Sequence, residues 1–392
     1  MADWAELPRE ILQLISEFLQ SELYIIRFRS VCSTWRSSIS SNLHLYRPLQ
    51  LPFPGDSMKV YSYANTKFKT NYDLSYPLSK PPPIPNHPQT LQHPWLIKIG
   101  PNSRDQTHLW HPFSREAYFP LHAPNVIDFN QLNVTHLGHE FVIGKIISRS
   151  PNQNYVNRDN LVLYHDTCHN GNVVLAINYC GKLAVFRCGE ERWKIITETG
   201  VAFTDVCIFK GRTIAVDTTG RTVAVGPDFS LDLVAEAVFG SDFKYFVESD
   251  GELLLIDKYL SFDWEDRYSE YIDNFVFDGR NHFSFKVEME KAVRFDVFRL
   301  HEKDKKWVEV TDLGDRVLFL GDGCSFSASA SDLGVNGNCV VYWDDIHLEH
   351  SSTEIEMSIF HLDKRQISPL SDFPSYSKLF WPPPEWVRMV HN

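Results

Sequence analysis

The first part of the chain carries the apolar spacing of an amphipathic helix. Ile11, Leu12, Ile15 and Leu19 lie at offsets that place them on one side of a helix. Pro8 precedes them and suits the first helical position, where a backbone N–H would have no partner. The pattern therefore predicts a helix that begins at Pro8 and presents a single apolar stripe.

Two shorter helical stretches follow, at Tyr24–Val31 and Thr34–Ile39, and the helical pattern ends near residue 47. A segment of this size buries little apolar surface by itself, so its apolar side chains need a covering surface. The pattern leaves two interpretations open. The segment docks either onto the rest of the chain or onto another protein by helix packing.

The pattern after residue 47 consists of short apolar runs separated by polar turns and glycine. Many strands spaced by about ten residues are typical of an all-β sandwich, barrel or propeller. The remaining length exceeds one sandwich and suits a propeller of roughly six or seven blades, each of about 40–50 residues. The clearest runs predict strands at Val173–Ile177, Leu183–Phe186, Trp193–Ile196, Val206–Phe209, Thr213–Val216, Leu253–Ile256, Phe295–Leu300, Trp307–Val310, Val317–Leu320 and Cys339–Tyr342.

Smaller features add detail to this β-rich part. Lys59–Tyr63 and Thr66–Thr70 are each interpreted as a strand. Asp217–Gly220 has the residue types of a four-residue hairpin loop. Gly181–Phe186 is similar to Gly251–Ile256, and this faint internal repeat favours an array of blades.

The segment Pro77–Pro94 interrupts the strand pattern with many prolines. Such a segment serves either as a stiff surface connection or as a polyproline II ligand for SH3-like or WW-like domains. We interpret it as an insertion at residues 77–94 within the propeller, because strand-like runs precede it.

The net charge of −12 is unevenly distributed along the chain. Residues 1–47 carry five acidic and five basic side chains, whereas residues 227–312 carry 21 acidic and 11 basic ones. An acidic balance argues against binding to nucleic-acid backbones, which requires a basic surface. The acidic region is either a face that attracts basic partners or a solvated loop. The aromatic content of 14% is expected to pack the blades.

The sequence also bears on the location of the protein. Its beginning lacks the basic and apolar segments of a secretory signal, and no apolar run reaches the length of a transmembrane helix. Seven cysteines without a C-x-x-C pair favour a reduced compartment. We therefore expect a soluble protein of the nucleus or the cytoplasm, without a membrane partner.

The common signatures of catalysis and phosphate binding are absent from the sequence. His165, Cys168, His169 and Cys180 have the residue types of zinc ligands, but their spacing matches no common zinc finger. We therefore predict no catalytic, cofactor or metal site. One enzymatic alternative stays open, in which ionisable residues from several blades form an active site in the central channel.

The amino-terminal residues resemble a known module. Leu7–Leu12, Ile15 and Arg27–Ser38 closely resemble an F-box, with the expected spacing between its two halves. The resemblance implies three helices that bind the Skp-type adaptor of Skp–cullin–F-box ubiquitin ligases, and through it the cullin. It assigns adaptor contacts, or support for the contacting helices, to Leu7, Pro8, Ile11, Leu12, Ile15, Val31, Cys32 and Trp35.

The rest of the chain resembles the β-propeller domain of a plant F-box family of the Skp-interacting-partner type. The similar segments are Phe203–Val206, Phe209–Arg212, Trp307–Val310, Leu313–Gly321 and Trp381–Trp386. The resemblance implies a plant source and an α+β multidomain fold. The expected domains are a three-helix F-box at 1–47, an all-β propeller at 48–386 and a tail at 387–392.

The function expected from these resemblances is that of a non-catalytic substrate receptor. The F-box would bind the adaptor, and the propeller would bind a target protein that the sequence does not identify. A milder alternative is an adaptor-bound protein that sequesters or inhibits its partners without ubiquitination. Neither a cofactor nor a nucleic-acid partner is expected.

Overall fold

The computed structural model describes residues 7–17, 28–29, 31–38, 49–53, 56–70, 94–101, 107–113, 132–143, 156–166, 171–178, 180–187, 190, 193–196, 200–261, 291–321, 324–343 and 357–380. The predicted Pro-rich insertion, except for Pro94, and the Trp381–Trp386 segment lie outside these residues. The same holds for the predicted domain boundaries near residues 47 and 386.

The helical segment before residue 47, which we call the head, contains two helices with described bounds. Helix α1 spans Arg9–Glu17 and helix α2 spans Ser33–Ser38. The predictions of a helix after Pro8 and of one at Thr34–Ile39 are therefore confirmed to within a residue at each described end. Of the stretch predicted at Tyr24–Val31, residues 28–29 are helical, and most of the remainder lies outside the described residues.

The first two sheets come from the part of the chain before residue 200. The strands of the first sheet are β1 (Leu49–Phe53), β2 (Asp56–Thr70), β3 (Trp95–Pro101), β4 (Thr107–Trp110) and β5 (Leu132–Ile143). The strands of the second sheet are β6 (Val156–Asp166), β7 (Gly171–Asn178), β8 (Leu183–Arg187) and β9 (Lys194–Ile195). Neighbouring strands in both sheets are antiparallel.

The other three sheets continue this arrangement. The third contains β10 (Phe203–Phe209), β11 (Arg212–Asp217), β12 (Thr222–Val225) and β13 (Leu231–Ala235). The fourth contains β14 (Phe243–Ser249), β15 (Glu252–Ser261), β16 (Lys291–His301) and β17 (Lys306–Glu309). The fifth contains β18 (Arg316–Gly321), β19 (Cys324–Ser329), β20 (Cys339–Trp343), β21 (Met357–His361) and β22 (Gln366–Pro369).

Short helical elements accompany the fifth sheet. Helix α3 (Ala330–Leu333) connects β19 to β20, and β20 then pairs in parallel with β18. A 3-10 turn at Leu370–Asp372 and helix α4 (Pro374–Ser377) follow β22. Among the helices of the described residues, none is long and apolar enough to span a membrane.

All ten strands predicted from the apolar runs are confirmed, because each run overlaps an observed strand, although only Lys194–Ile195 of Trp193–Ile196 is a strand. Lys59–Tyr63 and Thr66–Thr70 are strand residues as predicted, but they do not form two separate strands. Both belong to the single strand β2, which pairs with β5 along its length and carries one register shift after Asn65. Asn65, which lies between the two runs, is at that irregularity rather than in a turn.

The faint repeat has no structural equivalence. Gly181–Phe186 leads from β7 into β8, the third strand of its sheet, whereas Gly251–Ile256 leads from β14 into β15, the second strand. Both segments begin with a glycine in the left-handed region, with φ of 70° and 75°. Their similarity therefore reflects a shared type of tight turn.

The five sheets form a closed ring. The strands β5, β6, β10, β14 and β19 contact one another in cyclic order, so they are the inner strands of a propeller arrangement. Apolar side chains fill the space between the second and third, third and fourth, and fourth and fifth sheets. The predicted number of six or seven blades is not confirmed by the described residues, which form five sheets.

Leu379 and Phe380 close this ring between the fifth and first sheets. The Leu96 N–H of β3 donates to the Leu379 carbonyl at 2.8 Å, and Trp95 Nε1 donates to the Phe380 carbonyl at 2.9 Å. The Phe380 ring lies 5.4 Å from that of Phe113 and packs in the cluster shared by both sheets. These contacts therefore join the first sheet to the fifth.

Polar groups also join neighbouring inner strands. The Asp205 carboxylate of β10 accepts the Phe246 N–H of β14 at 2.6 Å. Between the fourth and fifth sheets, the Ser249 and Ser327 hydroxyl oxygens lie 2.9 Å apart, and Arg316 Nε donates to both. Inner strands have an edge without a partner strand, so side chains supply the hydrogen bonds that a ladder would otherwise provide.

Candidate protein-docking surface

Helix α1 begins directly after Pro8. The Pro8 carbonyl accepts the N–H groups of Ile11 and Leu12, both at 3.1 Å, so Pro8 is the N-cap rather than the predicted first helical residue. Glu10 lies in the first turn, where the helix dipole favours a negative charge. This start fixes which side of α1 each apolar side chain occupies.

Helix α2 begins at a sulfur cap. The Cys32 carbonyl accepts the Arg36 N–H at 3.0 Å, and Cys32 Sγ accepts the Trp35 N–H at 3.5 Å. Arg36 Nε in turn donates to the Arg29 carbonyl at 3.2 Å, across the connection that precedes the helix. Cys32 therefore orients α2, a role that the sequence did not distinguish from direct contact with a partner.

The interior of the head is apolar. Leu12 is fully buried and Phe28 nearly so, and the Phe28 and Trp35 rings pack with centroids 4.5 Å apart. Such tilted aromatic pairs contribute beyond their buried area. Leu12, Phe28 and Trp35 hold the helices in place, with Leu12 facing inward and Trp35 half-buried.

A second set of apolar side chains faces outward. Ile11 is 43% exposed, Leu14 is 51% exposed and Val31 is 55% exposed. Ile11 and Leu14 lie three residues apart on α1 and are therefore neighbours on the helix surface. This outward-facing set leaves apolar surface available for a partner.

The structure divides the eight predicted contact residues into three groups. Ile11, Val31 and Pro8 are exposed, Leu12 is buried, and the half-buried members are Leu7, Ile15, Cys32 and Trp35. Leu14 was missed by the sequence reasoning, which placed the apolar residues of this helix on one stripe. Its position three residues after Ile11 was the signal that could have identified it.

The chemistry available on this surface is that of apolar association. Within the described residues, no group of three or more His, Cys, Asp or Glu side chains could hold a metal ion. Of the cluster considered for zinc, His165 lies in β6 and Cys180 is exposed in the turn before β8. Cys168 and His169 lie outside the described residues.

Two family models match the chain. The F-box domain model matches residues 4–45, and the KIB1-4 beta-propeller model matches residues 66–361. Both ranges fall inside the domains predicted from the sequence, whose outer bounds stay predictions. The model for the propeller alone covers most of the chain.

Curated relatives match along nearly the whole length. The F-box protein SKIP23 of Arabidopsis thaliana is 34% identical, and the alignment covers 99% of this chain and 96% of the relative. The Arabidopsis thaliana F-box protein At2g17036 is 32% identical, with coverage of 100% and 96%. With the two family models, these relatives show that the chain belongs to the plant F-box proteins that carry a KIB1-4 beta-propeller.

Proposed function

We propose that the chain is the substrate-recognition subunit of a Skp–cullin–F-box ubiquitin ligase. The observation that carries the proposal is the outward apolar set of Ile11, Leu14 and Val31 on a head whose interior is already filled by Leu12 and Phe28. In this proposal the outward set binds the Skp-type adaptor, and the remaining predicted residues position it. Family membership supports the assignment.

The contribution of the chain to ubiquitin transfer is proximity. A target held by the propeller is kept near the ubiquitin-conjugating enzyme that the adaptor and cullin recruit, which raises the effective concentration of its lysines. No bond is made or broken by this chain in the proposal. We also propose a nuclear or cytoplasmic location, supported by the cysteine pattern of the sequence.

The proposal is tested by binding of a purified plant Skp-type adaptor to the full chain. Burying a large apolar side chain contributes about 1.5–3 kcal/mol, so Ile11→Ala with Val31→Ala is expected to weaken binding by about 100-fold. The dissociation constant is measured by calorimetry. Ile208→Ala, an exposed apolar position of β10, is the matched control and should bind as wild type does.

Circular dichroism distinguishes a loss of adaptor contacts from unfolding of the head. Leu12→Ala removes a fully buried side chain and should lower helicity of the head as well as adaptor binding. The double variant should keep the wild-type circular dichroism, because its two side chains are exposed. Wild-type affinity in a correctly folded double variant would contradict the proposed function.

A further inference from the structure

The Arg29 guanidinium has a donor atom that the head itself does not satisfy. Arg29 Nη1 is shielded from water, yet it has no hydrogen-bond acceptor within the described residues. The residue as a whole is half-buried and follows the buried Phe28. A charged donor that is removed from water without an acceptor costs free energy, and native proteins leave few such donors unpaired. An acceptor supplied from outside the head would remove this cost.

Carboxylates that could neutralise Arg29 are scarce in this part of the chain. Residues 23–55 contain four arginines and neither an aspartate nor a glutamate. Glu10 lies in the first turn of α1 and is exposed. Within the described part of the head, neither Arg29 nor the exposed Arg36 forms an ion pair. The positive charges of these two side chains are therefore not compensated there.

The contacts that build the head also hold Arg29 in place. The ring of the preceding residue, Phe28, packs 4.5 Å from that of Trp35. The Arg29 carbonyl accepts from Arg36 Nε at 3.2 Å, which connects its backbone to α2. Val31, a member of the outward apolar set, lies two residues after Arg29 and is 55% exposed. Arg29 therefore lies close in the chain to the surface that we assign to the adaptor, on a backbone that is already ordered.

We propose that a carboxylate of the Skp-type adaptor binds the Arg29 guanidinium, and that Arg36 adds a second positive charge to this contact. The inference rests on the proposed function and adds an electrostatic contact to an interface argued above from apolar side chains. A guanidinium binds a carboxylate through two parallel hydrogen bonds, which are stronger than bonds to neutral acceptors. Because Arg29 is half-buried, rotation of its guanidinium presents Nη1 to a carboxylate at the surface.

The inference is tested by calorimetry with the full chain and a purified plant Skp-type adaptor. Arg29→Gln removes the charge and should raise the dissociation constant by about 10-fold or more. Arg29→Lys keeps the charge but lacks the planar fork, so its affinity should lie between those of wild type and Arg29→Gln. Added salt should weaken wild type more than Arg29→Gln. Arg299→Gln removes a half-exposed arginine of the fourth sheet and is the matched control, which should bind as wild type does.

A double-mutant cycle identifies the carboxylate of the adaptor. Each aspartate and glutamate of the adaptor is replaced in turn by asparagine or glutamine. One of these substitutions should weaken binding of the wild-type chain but should have little further effect on Arg29→Gln. A purely structural role of Arg29 would not produce this coupling, so the absence of a coupled carboxylate would overturn the inference.

The outcome is distinguishable from failure of the proposed function. Arg29→Gln should keep the wild-type circular dichroism, because the side chain that it replaces makes no hydrogen bond within the described head. Wild-type affinity in Arg29→Gln, with binding lost in Ile11→Ala with Val31→Ala, would overturn this inference alone. A loss of helicity in Arg29→Gln would assign the side chain to the fold of the head and would overturn it as well.

Discussion

Asp205 lies where the inner strands β10 and β14 meet, and its pKa is raised. Its carboxylate accepts the Phe246 N–H at 2.6 Å and the Val206 N–H at 2.8 Å. Burial raises the pKa of Asp205 to about 7, although the two backbone donors act in the opposite direction. Cys207 lies near this carboxyl, and burial, with the charge of Asp205, raises the pKa of its thiol as well.

The raised pKa of Asp205 predicts a pH-dependent contribution to stability. Between its ordinary pKa of 3.8 and the folded value of about 7, the folded chain holds a proton that the unfolded chain releases. The stabilisation is therefore complete below pH 3.8 and is lost as pH rises through about 7. Asp205→Asn has no such titration, so the wild-type free energy of unfolding should fall relative to this variant as pH rises.

Urea unfolding of both proteins at several pH values measures this difference. Other titrating groups contribute equally to both proteins, so the comparison cancels their contributions. One such group is His111, whose pKa is lowered to about 3 by burial. Parallel pH profiles for wild type and Asp205→Asn would contradict the prediction.

At the scale of single residues, helical spacing did not predict which apolar side chains of the head face outward. Helical spacing grouped Ile11 and Leu12 on one stripe, but the structure exposes the first and buries the second. Which side of a short helix faces inward depends on its neighbours, here Phe28 and Trp35, and spacing on α1 alone does not contain that information. Leu14 was missed for the same reason.

At the scale of elements, the β11–β12 hairpin shows how local sequence determines a turn. The Asp217 side chain accepts the Thr219 N–H at 2.9 Å, and the Gly220 N–H donates to the Asp217 carbonyl at 2.9 Å. Gly220 has a φ of 84°, a conformation that side chains disfavour. The Gly220 carbonyl also accepts from Trp307 Nε1 at 3.2 Å, so the turn links the third and fourth sheets.

Gly220→Ala is predicted to destabilise the protein more than Gly211→Ala. Both glycines have positive φ, which costs a side chain about 1–2 kcal/mol. A Cβ at Gly211 would meet nothing within 4 Å, whereas one at Gly220 would lie 2.6 Å from the Val238 carbonyl oxygen. Thermal unfolding should therefore show a clearly larger loss for Gly220→Ala, and equal losses would contradict the packing argument.

Strands were the most predictable elements of this chain. Strands buried on both faces read as continuous apolar runs, and Val173–Ile177 and Val317–Leu320 are examples. The sequence pattern divided β2 into two strands, because a strand with polar positions and a register shift has no continuous apolar run. The turn at Asp217–Gly220 was predicted correctly, since its residue types act within four positions.

At the scale of the whole molecule, the sequence favoured a propeller, but the contacts that close its ring had no signal in the sequence. The bond between Trp95 Nε1 and the Phe380 carbonyl joins residues 285 positions apart. Apolar runs indicate that strands exist, but they do not specify which sheets become neighbours. The order of the sheets around the ring, like the parallel pairing of β18 with β20, became known only from the structure.

The contacts that close the ring predict a smaller loss of stability for Trp95→Phe and a larger one for Phe380→Ala. Trp95→Phe keeps an aromatic ring but leaves the Phe380 carbonyl without this donor, and should lower the free energy of unfolding by about 1–3 kcal/mol. Phe380→Ala removes a ring that is 2% exposed and contacts Phe113, and should lower it by about 3–5 kcal/mol. Both values are measured by denaturant unfolding of the full chain.

Hydrogen exchange locates the effect of Phe380→Ala within the ring. The Leu96 amide, which donates to the Leu379 carbonyl, should lose protection first, because opening at this seam exposes β3 before the sheets on the far side. Phe239→Ala, at an 80% exposed ring, is the control and should change neither stability nor exchange. Uniform loss of protection across all five sheets would mean that the ring unfolds as one unit, without a weaker seam between its first and last sheets.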